Sequence, residues 1–305
     1  MIDHRIKYFS RDEIDDEKWN ACIANAPNGL IYSYTFYLDA MALHWDALVL
    51  DDYKAVMPLT WNKKWGIYYL YQPFLTAQLG LFGDNITGII FKEFLTAIPA
   101  KFRYWDFYLN HGNVFTIKGF DTYLRMNLLL PLQKTYEEIS GRYRENIKRN
   151  IKKAFKLGCH VKKGVTIEQV IELAKDQMKT YTKPDENAFE RFGKLYDLLH
   201  AKQEAITYGV FSNKNELLAS SVFIFSNKRA YYILVGNHPN GKTLGASHAL
   251  IDAFIKDHSG KDLSLDFEGS DMHSLAFYYG SFGAVEEEYS AIRLNKLPWY
   301  VKWLK

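Results

Sequence analysis

The stretch Arg229-Ala-Tyr-Tyr-Ile-Leu-Val-Gly-Asn-His-Pro-Asn-Gly-Lys-Thr-Leu-Gly-Ala-Ser-His-Ala-Leu-Ile-Asp-Ala-Phe-Ile-Lys-Asp-His258 decides the fold. It reads as an apolar strand from Ala230 to Val235, a glycine-rich loop, and an amphipathic helix. From Gly236 to Thr243 it satisfies the phosphate-loop pattern G-x-x-x-x-G-K-[ST], and Gly245-Ala246-Ser247 follows two residues later. Such a loop gathers backbone N–H groups and a helix N-terminus around a phosphate. A nucleotide-hydrolysing phosphate loop opens a parallel sheet and needs several further βα units behind it. About sixty residues follow Thr243, enough for a helix, a strand, a short helix and one or two more strands. The strand Leu263-Ser-Leu-Asp266 ends on an acid, as many strands do, so nucleotide binding is kept only as an alternative.

Upstream, Ala205–Phe211, Glu216–Phe225 and Arg229–Val235 form a meander whose turns are Ser212-Asn-Lys-Asn215 and Ser226-Asn-Lys228. Before it come a strand at Cys159–Lys163 and helices at Ile167–Tyr181 and Ala188–Gln203. Downstream, a strand at Asp262–Phe267, a helix at Met272–Tyr279 and a strand at Glu286–Leu294 complete a β–α–α–β–β–β–α–β–α–β order. The first half echoes that order more loosely. It has helices at Asp12–Ala26, Thr35–His44 and Ile86–Ile98, with strands at Trp45–Leu50, Lys54–Thr60, Gly66–Tyr71, Phe102–Leu109 and Tyr123–Leu130. A helix at Thr135–Leu157 connects the halves and ends at Gly158.

At 305 residues, the chain has room for two domains, and 48% hydrophobic with 16% aromatic residues indicates well-filled cores. A net charge of +3 excludes a polyelectrolyte, so any basic surface must be local. Two cysteines, Cys22 and Cys159, support neither a disulfide framework nor a zinc site. No apolar run approaches the roughly 18 residues of a membrane span, and Met1-Ile-Asp-His-Arg5 lacks a signal-peptide core. The expectation is a cytoplasmic protein with no transmembrane segment and no metal.

Three stretches carry a resemblance. The basic helix Tyr143-Arg-Glu-Asn-Ile-Lys-Arg-Asn-Ile-Lys-Lys-Ala-Phe-Lys-Leu-Gly158 is similar to the R-x-x-I-R-K-A-x-K-x-G helix of the Fem-type proteins, two-domain relatives of the GNAT acyltransferases. Lys242-Thr-Leu-Gly-Ala-Ser247 resembles the Q/R-x-x-G-x-G/A donor loop. Asp266-Phe-Glu-Gly-Ser270, Tyr278-Tyr-Gly-Ser-Phe-Gly283 and Asn295-Lys-Leu-Pro-Trp299 resemble the D-x-G-G-S, F-K-x-x-F-G and basic C-terminal pieces. Tyr279 stands where relatives often have Lys, and Glu268 where they often have Gly. The chain also has no room for the long helical arm of some cell-wall members.

The resemblance implies an α/β (α+β) fold of two GNAT-like domains, each a mixed, mostly antiparallel sheet flanked by helices. Residues 1–132 would be a degenerate N-terminal copy and 133–305 the working C-terminal domain, entered by the basic connecting helix 135–157. The implied activity is transfer of an acyl or aminoacyl group from acyl-CoA or aminoacyl-tRNA to an amine by direct attack. The acceptor would be a small molecule or a cell-wall precursor. Val235, Asn237, Gly241, Lys242, Thr243, Leu244, Gly245, Ala246 and Ser247 are the candidate donor-binding residues. Glu268 is the candidate base, Tyr279 the acid for the leaving group, and Asp266, on the face of Glu268 by strand alternation, a candidate to orient the amine. Arg144, Lys148, Lys152 and Lys156 recur every four residues on helix 142–156, over a stripe of Ile147, Ile151 and Phe155, and form a ridge suited to tRNA phosphates. A non-enzymatic RNA-binding protein that uses this helix is the runner-up, ahead of the nucleotide-binding alternative.

Overall fold

Two units emerge in a computed structural model of the chain, which describes residues 6–178, 187–269 and 272–297. One comprises Met1–Arg125 with Glu288–Lys305, the other Met126–Glu287. From the N-terminus the elements are β1 (Ile6–Ser10), α1 (Asp16–Asn25), α2 (Thr35–Met41), β2 (His44–Leu50), β3 (Ala55–Lys64), β4 (Ile67–Tyr71), β5 (Phe82–Gly83), α3 (Gly88–Ala97), β6 (Phe102–Tyr108) and β7 (Asp121–Pro131). The chain continues with α4 (Tyr136–Gly141), α5 (Glu145–Lys156), β8 (His160–Lys163), α6 (Ile167–Met178), α7 (Ala188–Ala201), β9 (Ala205–Phe211), β10 (Leu217–Ser226) and β11 (Arg229–Asn237). It ends with α8 (Pro239–Leu244), α9 (Ala246–His258), β12 (Ser264–Asp266), α10 (His273–Gly280) and β13 (Val285–Asn295).

In the first unit the strand order is β1-β2-β3-β4-β6-β13, with β4 and β6 parallel and the other neighbours antiparallel. In the second, β12 pairs antiparallel with the end of β7 and parallel with β11, and β10, β9 and β8 follow antiparallel. Each unit is therefore a mixed, mostly antiparallel sheet with helices on it and, leaving aside the two-residue β5 and the six-residue α8, each contains the run β–α–α–β–β–β–α–β. Apolar burial holds them together, at roughly 1.5–3 kcal/mol for each large side chain fully removed from water. Phe91, Phe94 and Phe102 anchor the first core. In the second, Phe254 of α9 stacks on Phe223 of β10 at 3.7 Å.

Four local expectations change. β1 goes unannounced in the sequence, and α1 starts at Asp16 because the Asp15 side chain accepts from the Glu17 and Lys18 N–H groups. The helix expected over 135–157 is two helices. Buried Tyr143 packs edge-on against Phe282 at 5.3 Å and the Arg144 N–H donates to the Ser281 carbonyl, which turns the chain between α4 and α5. On α5 Ile147 and Ala154 are buried and Ile151 is half-buried beside them, whereas Phe155 is exposed. The last strand, β13, pairs through Ala291–Asn295 with β6 and so belongs to the first unit by its ladder. Ser270, Pro298 and Trp299 of the sequence motifs, and Lys179–Tyr181 of the helix expected to reach Tyr181, lie outside the described residues.

Candidate functional site

The geometry that matters begins where two parallel strands part. β11 and β12 are in register at Arg229–Ser264, Ala230–Leu265 and Tyr231–Asp266, and the ladder stops there. β11 nevertheless runs on to Asn237, held on its other edge by β10. A bulge interrupts that edge between the Ser221–Val235 and Val222–Ile233 pairs, leaving Leu234 as the extra residue at φ +50°. The residue after Phe267 on the opposing side, Glu268, has φ +63°. Both are bulky L-residues in the left-handed region, a conformation that persists only where the surroundings over-determine it. Past Tyr231 the β11 edge that β12 flanked therefore has no strand paired to it among the described residues.

At the end of β11 a short helix, Pro239–Leu244, stands where the sequence suggests a glycine-rich loop. His238 caps it by accepting the Asn240 N–H at 3.2 Å, and the Gly241 N–H donates to the His238 carbonyl at 2.8 Å. The Asn240 and Gly241 amides are thus both taken by His238, and Lys242 and Thr243 are exposed on the helix. The glycines that completed the pattern are there for packing. A Cβ on Gly236 would stand 2.8 Å from the Ala174 nitrogen of α6, and one on Gly241 2.2 Å from the Leu218 carbonyl oxygen.

Gly245 ends α8 and opens α9 in one residue, at φ +80°. A Cβ there would lie 2.6 Å from the Asn150 carbonyl oxygen of α5. Ala246 and Ser247 hold the first helical positions of α9, where N–H groups lack an intrahelical acceptor and the dipole favours an anion. The Ser247 hydroxyl donates to Asn237 Oδ1, tying this helix start to the open end of β11. Lys153 of α5 donates to the Thr243 carbonyl at 2.8 Å. Asn237, Gly245, Ala246 and Ser247 are thus gathered at one spot, with Val235 on the strand leading to it and half-buried Leu244 packed beneath. Gly245→Ala should destabilise by about 1–3 kcal/mol through strain and overpacking, and a thermal melt that leaves the midpoint unmoved would contradict this account.

The three chemical candidates meet at the other side of the opening. Tyr279 of α10 is buried, stacks on Phe267 at 4.3 Å and faces Tyr232 of β11 edge-on at 6.3 Å. Burial first, then the charge of Glu268, push its hydroxyl well above the ordinary phenol range, so it stays protonated. Asp266 is committed elsewhere. Its carboxylate accepts from Arg229 at 2.9 Å, from Asn127 Nδ2 at 3.0 Å and from the Glu268 N–H at 2.9 Å. Arg229 also meets Glu287 at 2.8 Å, which closes a buried network. The sequence offers one sign of it, a lone Arg heading an apolar strand.

His248, one residue past Ser247, was not singled out by spacing. It lies within 3.4 Å of Asn150 Nδ2, and its ring meets Tyr278 edge-on at 4.9 Å. Burial lowers it from 6.5 to about 4. The unfolded chain therefore binds more protons than the native one between those values. Stability is full above about pH 6.5 and falls as the pH drops toward 4, by on the order of 2–3 kcal/mol for this residue. His258, stacked on Phe254 and also held near 4 by burial and Lys261, adds in the same direction. Urea unfolding at pH 7 and pH 4.5 reads the slope, and His248→Phe should flatten it.

Among the described residues no cluster could hold a metal ion, and no helix is long and apolar enough to cross a membrane. Arg144, Lys148, Lys152 and Lys156 are all exposed. Residues 141–273 match the family described as an acetyltransferase (GNAT) domain. Among solved structures, FemX is similar at TM-score 0.66 and 14% identity, over 96% of this chain and 98% of its own. A conserved protein from Bacteroides thetaiotaomicron VPI-5482 gives 0.60 at 10% identity, over 96% and 99%. L-PGS from Bacillus licheniformis gives 0.58 at 12% identity, over 95% of both chains. No curated protein matches the chain.

Proposed function

We propose that this chain, a GNAT acyltransferase with the Fem-type fold, moves an acyl group from acyl-CoA to an amine by direct attack. The observation that carries this is the parting of β11 from β12 after Tyr231 and Asp266, with a bulge at Leu234 on one side and Glu268 on the other. An extended pantetheine arm would complete the open edge of β11. Its pyrophosphate would meet the amides of Ala246 and Ser247 at the start of α9, with Lys242 and Thr243 exposed nearby on α8.

The acceptor nitrogen adds to the thioester carbonyl carbon, forming the C–N bond. Collapse of the tetrahedral intermediate breaks the C–S bond and expels the thiolate. Glu268 accepts the proton that the nitrogen sheds, Tyr279 donates a hydrogen bond to the departing thiolate, and the proton held by Glu268 is then passed to that sulfur, which restores the carboxylate. Asp266 is a positioning residue that holds the Glu268 backbone. Burial raises the Cys22 thiol to about 11 and lifts that of Cys159, so neither is a ready nucleophile, which supports direct attack.

A second reading, with aminoacyl-tRNA as donor, is favoured by the exposed basic row on α5. The same chemistry then breaks a C–O bond. The Fem-type likeness makes a cell-wall precursor amine one acceptor class, a small-molecule amine the other. Unpaired cysteines and either donor suit a cytoplasmic enzyme, with 1–132 as the degenerate half and 133–305 as the donor-binding half.

Thermal stabilisation by acetyl-CoA, longer acyl-CoAs, ATP with Mg²⁺ and bulk tRNA tests these readings. A ligand at 100 times its Kd contributes about 2.7 kcal/mol. Stabilisation by a CoA ester, abolished in Gly245→Ala, is the expected result. Stabilisation by tRNA alone moves the donor to aminoacyl-tRNA, and by ATP alone it defeats the proposal.

A further inference from the structure

The hairpin of β3 and β4 ends in a turn whose first residue is the wrong type for that turn. Lys64 pairs with Ile67, so the connection is two residues, Trp65 and Gly66, at φ +51° and +80°. Positive φ at both central positions is the type I′ pattern, which favours Asn, Asp or Gly at the first of them. A bulky L-residue there is strained, and residues held under such strain cluster where a protein meets its ligands. Trp65 contributes little to the core in exchange, because it is 71% exposed. The fold thus carries strain to hold an indole out in water.

The charges around that indole select the surface it fits. Lys63 lies over the Tyr68 ring at 4.8 Å, and Lys64 lies over the Trp65 ring at 4.8 Å. The pairing of β4 with β6, and of β6 with β13, brings Lys101, Arg103 and Lys296 to the same end of the sheet. No acidic residue occurs in 53–83, 98–105 or 289–297. Asp46 of the neighbouring β2 is taken up by the Tyr8 hydroxyl and by Lys101 at 3.7 Å. Lys63, Lys64, Arg103 and Lys296 are exposed and have no ion-pair partner among the described residues.

A single-stranded nucleic acid is held in a groove by successive stacked rings, and here one exposed ring stands at a projecting tip. A specific protein interface buries roughly 1,200 Å² or more, well beyond what one side chain and its lysines offer. The headgroup layer of an anionic bilayer matches what is present. An amphipathic indole settles at that depth, and lysines beside it meet the negative surface potential.

We propose that the β3–β4 tip docks this chain onto an anionic lipid bilayer, with Trp65 in the headgroup layer and Lys63 and Lys64 against lipid phosphates. The surface lies within the first unit and uses no residue of the donor site, so it is independent of the transfer reaction.

Co-sedimentation of the full chain with phosphatidylcholine vesicles, with and without an equal share of phosphatidylglycerol, tests it. Binding to the anionic vesicles is expected to be tighter by about tenfold or more, and to weaken about fivefold for each of Lys63→Gln and Lys64→Gln. Trp65→Asn should weaken it by about tenfold or more, as for one large apolar side chain withdrawn from burial. Asn is at ease in this turn, so Trp65→Asn should melt no lower than the parent, which separates lost docking from lost folding. Equal binding to both kinds of vesicle, or to neither, would overturn the proposal. Anionic-vesicle binding that is unchanged in Trp65→Asn would assign it to another basic surface, such as that of α5, and would overturn it equally. Binding of poly(U) that is lost in Trp65→Asn, with no binding of vesicles, would give the tip to nucleic acid instead.

Discussion

Glu268→Gln is expected to lower kcat/KM by about 10²–10⁴, with donor affinity and melting temperature unchanged. The substitution keeps the shape and the N–H that donates to Asp266 at 2.9 Å, and removes the charge and with it the capacity to take a proton. Neither residue relieves the φ of +63°, so the backbone strain is common to both proteins. The loss should fall on kcat, because the carboxylate acts as the nitrogen bonds to carbon and not while the donor docks. It should also remove the acidic limb of the pH–rate profile, which in the parent reports protonation of this base. Tyr279 would remain protonated throughout, since burial and the Glu268 charge keep its hydroxyl above the ordinary range. A variant within threefold of the parent over the whole profile would assign the proton to another acceptor.

Why Glu268 could be picked from sequence while its setting could not is a matter of range. Apart from the short helix α8, the order of elements from His160 to His258 was legible because helical periodicity, hairpin turns and the apolar run before Gly236 are local signals. The bulge at Leu234 adds one apolar residue to an apolar strand and leaves no mark in composition. The phosphate-loop pattern is ambiguous for a related reason. Glycine is written the same way whether a phosphate or a neighbouring backbone comes close, and at Gly236, Gly241 and Gly245 the neighbours are α6, Leu218 and Asn150. The split at Arg142–Arg144 depends on Phe282 and Ser281, over a hundred residues away. The pairing of β13 with β6 is as remote, and nothing within the strand names its partner.

The same non-locality makes Arg229 the residue whose loss should cost most stability. Arg229→Met is expected to destabilise the fold by about 3–5 kcal/mol, because it leaves two partners charged and largely out of water. Asp266 and Glu287 are both mostly buried, and the guanidinium bridges them at 2.9 and 2.8 Å. Asn127 and the Glu268 N–H satisfy part of Asp266 and carry no countercharge. A melting-point drop of roughly 6–20 °C follows for a domain of this size. Replacing all three charged residues by apolar ones should recover much of that loss, since the penalty comes from unpaired charge more than from a missing attraction. Activity need not recover with stability. Asp266 holds the amide of Glu268, so an apolar triple variant would stand folded with its base unanchored. A triple variant that regained both would show that Glu268 keeps its strained backbone without Asp266, and would release Asp266 from its positioning role.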